Sequence, residues 1–406
     1  MEFNSHKKIL QNIFRSYFPR MKNMPLPLKD IKAAEAIMNC RTLEQGYDYL
    51  SCPEGHEDKI QLHSCRHRSC SICADKARHE WVDAQRSRLL GCSHYHVIFT
   101  LPHEYLALWQ CNRKWFTTCF FKACRDTLIT LLEDKKYLGA TPGILMTLHT
   151  WGRQLNYHPH IHCLVTAGGM TNEKQWKALE RDFLLPIRVV KTLFRGKLQS
   201  EIKSGLEVGD VRLPHNVSLK AMLSCYRCVY KKQWGVRIQE KYTHGKGVML
   251  YLARYMKGGP IKPQQIISCT NGITFMYKDH RDQKIKSLTL SIDAFVRRIL
   301  WHVPEIGVHV VRHYGLYSSN NKKKRNACRE VIGGLYESSV SAGKKVASTL
   351  DCLCAVCGAR LRKIFSTFQM ARYENSYKES QGLRSVQQCV QADIKNPFHS
   401  RDPCIP

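Results

Sequence analysis

The sequence predicts an α+β fold. Three observations point to it: short β-type runs closed by Pro or Gly, longer helical segments between them, and an Asn-Gly dipeptide set between two β-type runs. Residues 3 to 40 read as two short helices broken at Pro25 and Pro27, with Ile9, Ile13 and Tyr17 on one face of the first. Cys40 to Cys73 is rich in Cys and His and reads as loop. Ala74 to Leu90 has helical composition and stops at Gly91. Tyr95 to Pro102 is the first β-type run, residues 104 to 135 a helix, and Gly143 to Thr150 the second strand. A third strand starts at Tyr157-His158-Pro159-His160-Ile161-His162-Cys163-Leu164-Val165 and ends at Gly168-Gly169.

Further on, residues 173 to 206 read as an amphipathic helix with Leu179, Phe183 and Leu184 on one face, and Ala221 to Lys231 as another helix. Asn271-Gly272 joins Ile266–Cys269 to Ile273–Tyr277 as a hairpin, Ser287 to Ser291 adds a strand, and Ile292 to Trp301 is helical. From Asn320 the chain is rich in Ser, Lys and Arg, and its end is polar enough to expect disorder. The expected organisation is an N-terminal helical and metal-binding module (1–92), a central domain (93–303) with a helical insertion at about 170–243, and a basic C-terminal region (304–406).

Composition narrows the function. The 406 residues hold 63 Lys and Arg against 33 Asp and Glu, a formal charge of +30. Such an excess implies an anionic polymer as partner, DNA or RNA rather than a membrane surface. No run approaches the ~20 apolar residues of a membrane span. The N-terminus, Met1 to Lys8, lacks the apolar core of a signal peptide, so a cytoplasmic protein is expected. In that setting the 19 cysteines point to zinc and buried thiols rather than disulfides.

The chemistry concentrates in three places. On a strand, alternate side chains share a face, so His160 and His162 point together while Ile161 turns to the core. Two imidazoles so placed suit a divalent metal. Tyr251 and Tyr255 share a helix face one turn apart. A Tyr-x3-Tyr pair alone is usually aromatic packing, but beside a metal-binding pair in a basic protein a tyrosine can attack a phosphodiester. The third place is Cys65-x4-Cys70-x2-Cys73, with Cys52, His56 and His63 upstream. Cys70 and Cys73 are the firmest zinc pair, completed by Cys52 with either His56 or Cys65. Arg66 and Arg68 in the same knuckle are placed to touch phosphate. A second Cys-x2-Cys at Cys354 and Cys357, near Cys352, is half a site; Cys389 and Cys404 are its possible partners.

In this order the motifs resemble those of the two-tyrosine rolling-circle transposases of bacterial insertion sequences, members of the HUH endonuclease superfamily. The matching pieces are Ser64 to Cys73, His96 to Pro102, His149 to Gly152, His158 to Val165, Tyr251 to Tyr255 and Val311 to Leu316. The resemblance implies an antiparallel sheet with helices on its faces, the metal histidines on a central strand and the tyrosines on a nearby helix. It implies nicking of one DNA strand at a transposon end, a 5′ phosphate held on Tyr251 or Tyr255, and transfer of that strand to a target, in a bacterial, DNA-associated setting. No ATP is then needed, and no Walker-type motif is found.

Family members often carry Cys-x2-Cys-Gly where this chain has Cys52-Pro53-Glu54-Gly55-His56, which makes His56 the replacement ligand. The third ligand of the catalytic ion is open among His149, Gln154 and His158; two histidines with an oxygen donor suit Mg2+ or Mn2+. Arg254 and Lys257 would contact flanking phosphates. Two other functions fit parts of the pattern: a replication initiator or relaxase with the same chemistry, and a zinc-binding DNA-binding regulator without catalysis.

Overall fold

The computed structural model describes residues 7–21, 24–86, 88–180, 182–242, 248, 258–333 and 353–367. The chain forms two units, one of Arg41–Ser64 with Ala347–Pro406 and one of Met1–Cys40 with Cys65–Val346. The segment 1–92, expected to be one module, is thus shared between both units.

In the smaller unit, β1 (Tyr47–Ser51) lies between β2 (Asp58–Leu62) and β12 (Arg362–Ser366), antiparallel to each. The Cys-rich segment read as loop therefore contains a hairpin. Its cross-strand pairs include Tyr49 stacked on Phe365, with centroids 5.1 Å apart.

The larger unit begins with α1 (Ile9–Met21) and α2 (Leu28–Asn39). Phe14, Phe18, Ile37 and Met21 bury the apolar stripes of these helices against Phe295 and Ile299 of α8 (Ile292–Trp301). After α3 (Ser71–Arg86), the chain builds the sheet that organises everything else. Its strands are β3 (His94–Thr100), β4 (Thr141–Trp151), β5 (Tyr157–Met170), β7 (Val236–Tyr242) and β11 (Val311–Gly315), in the order β11-β4-β5-β3-β7, with β6 (Trp176–Ala178) pairing β5 off this path. Every pairing is antiparallel.

The register sorts the residues. Phe99 lies opposite Ile161 and Val97 opposite Cys163, while Leu148 and Met146 flank the same two from β4. This face is apolar at its centre, with Arg312 of β11 laid over Phe121, and packs on α4 (Leu106–Cys111), α5 (Arg113–Glu133), α6 (Ile187–Glu207) and α7 (Leu219–Lys231), through Phe116, Phe120, Phe194 and Leu198 among others. The opposite face carries His96, Thr147, His149, His160 and His162. At one end of it Leu145 and Leu164 bury against Leu90, Leu316 and Tyr317.

Several elements differ from the sequence expectation. Residues 173–186 are not helical: Trp176–Ala178 pairs with Gly168–Met170, and α6 starts only after Pro186, which lacks the N–H that a helix interior needs and stands at the N-cap instead. Leu184 is buried, but Phe183 is exposed. The helix expected over 104–135 breaks at Asn112, whose side chain bonds Leu108 O and Arg212 O instead. The basic run Lys322 to Arg325 opens a helix, α9 (Lys322–Gly333), in which Arg325 is buried and donates to Leu316 O and Ser318 O. The hairpin at Asn271-Gly272 forms between β8 (Ile266–Ser268) and β9 (Ile273–Lys278), with β10 (Ile285–Leu290) beside β9.

Candidate metal centre and nucleic-acid cleft

Antiparallel pairing sets His149 of β4 directly opposite His160 of β5. A cross-strand pair on one face brings Cβ atoms within about 5 Å, and His162 follows two residues on. Ligand nitrogens of His149, His160 and His162 all lie within 4.8 Å of one another. Their ring centroids are 5.4, 4.7 and 4.8 Å apart. Of the three residues left open as third ligand, His149 is the one gathered here. Gln154 instead donates to Tyr277 Oη at 2.8 Å. His158 packs beside His160, with centroids 5.1 Å apart, and its carbonyl faces the His160 ring.

That carbonyl fixes a tautomer. His160 Nδ1 is 2.6 Å from His158 O, and a carbonyl only accepts, so Nδ1 carries the proton. Nε2 is left with its lone pair for an ion. Burial holds the His160 imidazole down at about 4, so it is neutral at pH 7. His162 is held well below the usual range by burial and then by His149, His160 and His96. Behind it, His96 Nε2 is 2.8 Å from His162 Nδ1, and burial brings His96 down to about 3. No motif marks His96; only its parity on β3, which puts it on the face of His162, signals the contact. His149 stacks on Trp151 at 4.4 Å, and the Arg68 guanidinium lies 5.3 Å over the Trp151 ring.

These histidines sit at the floor of a cleft of about 1290 Å³. Arg153, Arg237, Lys262, Lys278 and Arg281 line it, with Asp279 the acidic residue among the lining. Asp279 accepts from the Arg281 N–H and from Lys286, which hold its carboxyl at about 2. The cleft is therefore strongly basic, as a path for a phosphate backbone requires.

The cysteines divide in a way the sequence did not suggest. Cys65, Cys70 and Cys73 join Cys40, not Cys52 or His56, with all four ligand atoms within 4.8 Å of one another. Cys65 Sγ and Cys73 Sγ are 3.6 Å apart. A tetrahedral Zn–S of about 2.3 Å sets sulfur–sulfur edges of about 3.8 Å, so the set fits zinc. Cys40 comes from the end of α2, anchored where Gln11 Nε2 donates to Cys40 O at 2.9 Å. Cys40, Cys65 and Cys73 donate to Cys70 and hold its thiol far below its ordinary range, while Cys40, Cys70 and Cys73 push Cys65 up. Four sulfurs so close perturb one another's thiols, a crowding that a bound cation relieves. Cys52 and His56 form a separate group with Cys354 and Cys357. The expected mixed set is corrected for a simple reason: the β1–β2 hairpin carries Cys52 and His56 into the smaller unit.

Arg68 links the first cluster to the cleft. Its Nε donates to Gly258 O at 2.8 Å, and burial lowers the guanidinium to about 10. Arg66 is exposed. Tyr251, Tyr255, Arg254 and Lys257 lie outside the described residues, as do Cys352, Cys389 and Cys404. Among the described residues, no helix is long and apolar enough to cross a membrane.

Two family models match the chain, one over each of its N-terminal and central parts. A family model described as "Putative transposase" matches residues 143–325, and one described as "Transposase zinc-binding domain" matches residues 9–101. These matches define a class, a transposase with a zinc-binding module. The chain is 31% identical over 332 residues to "Putative transposase y4qJ" of Sinorhizobium fredii, spanning 79% of this chain and 83% of that one. It is 28% identical over 351 residues to "Transposase for insertion sequence element IS801" of Pseudomonas savastanoi pv. phaseolicola, 82% of each. No solved structure matches it. The chain belongs to the IS91-type rolling-circle transposases of insertion sequences.

Proposed function

We propose that this transposase nicks single-stranded DNA and transfers the cut strand through 5′-phosphotyrosine intermediates. The observation that carries the reading is the meeting of His149, His160 and His162 at the floor of a basic cleft. Three nitrogen donors fit a divalent transition ion, and lean toward Mn2+ over Mg2+, which prefers oxygen. When bound, the ion supplies polarisation of the scissile phosphate and neutralises charge that develops on it.

The residues of the chain do the rest. His158 O and His96 orient two of the imidazoles, and burial keeps them unprotonated. Arg237, Lys262 and Arg281 hold the flanking phosphates in line. Tyr251 and Tyr255 are the nucleophiles, with Arg254 and Lys257 beside them. The phenolate oxygen forms a bond to phosphorus, the bond from phosphorus to the 3′ oxygen breaks, and that oxygen takes a proton to leave as a 3′ hydroxyl. The phosphotyrosine conserves the bond energy for resealing.

Chain connectivity supports these roles. Val248, three residues before Tyr251, is buried with Leu145 and Leu164 on the histidine face of the sheet. Gly258, three residues after Tyr255, lines the cleft.

The deciding experiment incubates the protein with single-stranded transposon-end DNA and Mn2+, followed by mass spectrometry of the trapped adduct. We expect an oligonucleotide on Tyr251 or Tyr255, and none after Tyr251→Phe with Tyr255→Phe. A double variant that still nicks would defeat the proposal and leave a DNA-binding role.

A further inference from the structure

The group in the smaller unit has no part in the reading above. Cys52 and His56 stand on the turn after β1, and Cys354 and Cys357 on the turn before β12. We propose that these four residues bind a second structural zinc ion, one that closes the smaller unit by joining two segments far apart in the chain.

Geometry supports the assignment first. All four ligand atoms lie within 4.8 Å of one another. Cys52 Sγ is 3.6 Å from Cys357 Sγ and 3.8 Å from His56 Nδ1. Tetrahedral zinc, with Zn–S of about 2.3 Å and Zn–N of about 2.0 Å, sets edges of roughly 3.5 to 3.8 Å. The three cysteines are free thiols, and the fourth member, an imidazole, is a metal donor that a disulfide would have no use for.

The two turns also share a backbone bond of equal span and a glycine of positive φ, while the glycine bond spans three residues in one and four in the other. The Cys52 N–H donates to Glu57 O, and the Cys354 N–H to Ala359 O, each five residues on. Gly55 N–H returns to Cys52 O, and Gly358 N–H to Cys354 O. Gly55 and Gly358 adopt φ of 72° and 69°, where a side chain would be strained. The result is two loops of like shape that present a sulfur each and a second donor each. In one turn that donor is Cys357, just before the glycine; in the other it is His56, just after it, where the longer imidazole reaches back.

The packing supplies the reason. Among the described residues, the buried apolar cluster of this unit is Leu50, Cys52, Cys354 and Leu361, half of it ligand. A core of that size does not offset the entropy of ordering three strands. A metal that binds only the folded form supplies the difference.

The test uses the full chain. Zinc per chain is counted by native mass spectrometry and by elemental analysis. We expect Cys354→Ser with Cys357→Ser to lose one equivalent, Cys70→Ser with Cys73→Ser to lose a different one, and the combination to lose both. His56→Cys should keep the equivalent that the Cys354/Cys357 variant loses. Should the cysteine variants not fold, hydrogen exchange on the wild-type chain decides: zinc chelation should strip protection from peptides in 47–62 and 361–366 together. An unchanged zinc count in the Cys354/Cys357 variant, or full protection of those strands after chelation, would overturn the second site.

Discussion

The two faces of the central sheet are built from the same strands and differ in almost everything else. Phe99, Ile161 and Cys163 on one face meet the aromatic side chains of α5 and α6 and are fully buried. One residue along each strand, His96, His160 and His162 gather imidazoles around a basic cleft. The first face contributes stability through apolar area removed from water. The second is a cost: burying polar rings with lowered basicity is tolerated where something else gains from it. Period-two alternation lets one strand serve both demands without either set of side chains disturbing the other.

Neighbouring substitutions on β5 should separate the two faces. The largest effect is expected for His162→Ala, which should cut strand nicking on the order of 10³-fold, while affinity for the same single strand, read by fluorescence anisotropy, stays within about threefold. Parallel loss of binding would mean that the imidazole only supports the cleft. Ile161→Ala, one residue away, should do the opposite: it should destabilise the fold by about 4 kcal/mol in urea titration, within the range for buried Ile, with nicking per folded molecule retained.

Acid should attack the histidine face next. His160 is held near 4 when folded against about 6.5 unfolded. A lowered folded value means that its contribution is intact above pH 6.5 and lost as the pH falls, fully so below about 4. The metal-free protein should lose on the order of 3 kcal/mol across that window from this group. A metal-free protein as stable at pH 4.5 as at pH 7.5 would break the assignment of a neutral, buried imidazole. The smallest effect expected is a preference for Mn2+ over Mg2+ in nicking of about tenfold at equal concentration; a Mg2+ preference would argue for an oxygen ligand beside His160 and His162. Binding to DNA by a chain of +30 should weaken steeply between 50 and 200 mM salt, by about 10³-fold if six or more phosphates are contacted.

Local rules carried much of this into the sequence. Alternation alone puts His160 and His162 together, and Asn271-Gly272 between β-type runs announces its hairpin. Pairing across strands is what local rules lack. His149 stands opposite His160 only because β4 and β5 take one register, and nothing near His149 in sequence says so. Cys40 is the sharper case. It is a lone cysteine 25 residues before Cys65, and the packing of α1 on α2 delivers it to the cluster. Cys52 and His56 are nearer in sequence but leave with their hairpin. Strand β7 was legible in principle, since Val236 and Ile238 alternate with Arg237 and Gln239 and pack on the apolar core. At 173–186 apolar spacing suggested a helix, and Pro186 should have outweighed it.

The split of the smaller unit has a consequence during synthesis. Cys52 and His56 leave the ribosome about 300 residues before Cys354 and Cys357. At 5–20 residues per second that is a delay of roughly 15 to 60 s. The nascent hairpin waits through it with half its donor set, while the central sheet between the two halves is already being translated. Any message cut short before codon 354 yields a sheet whose hairpin never closes.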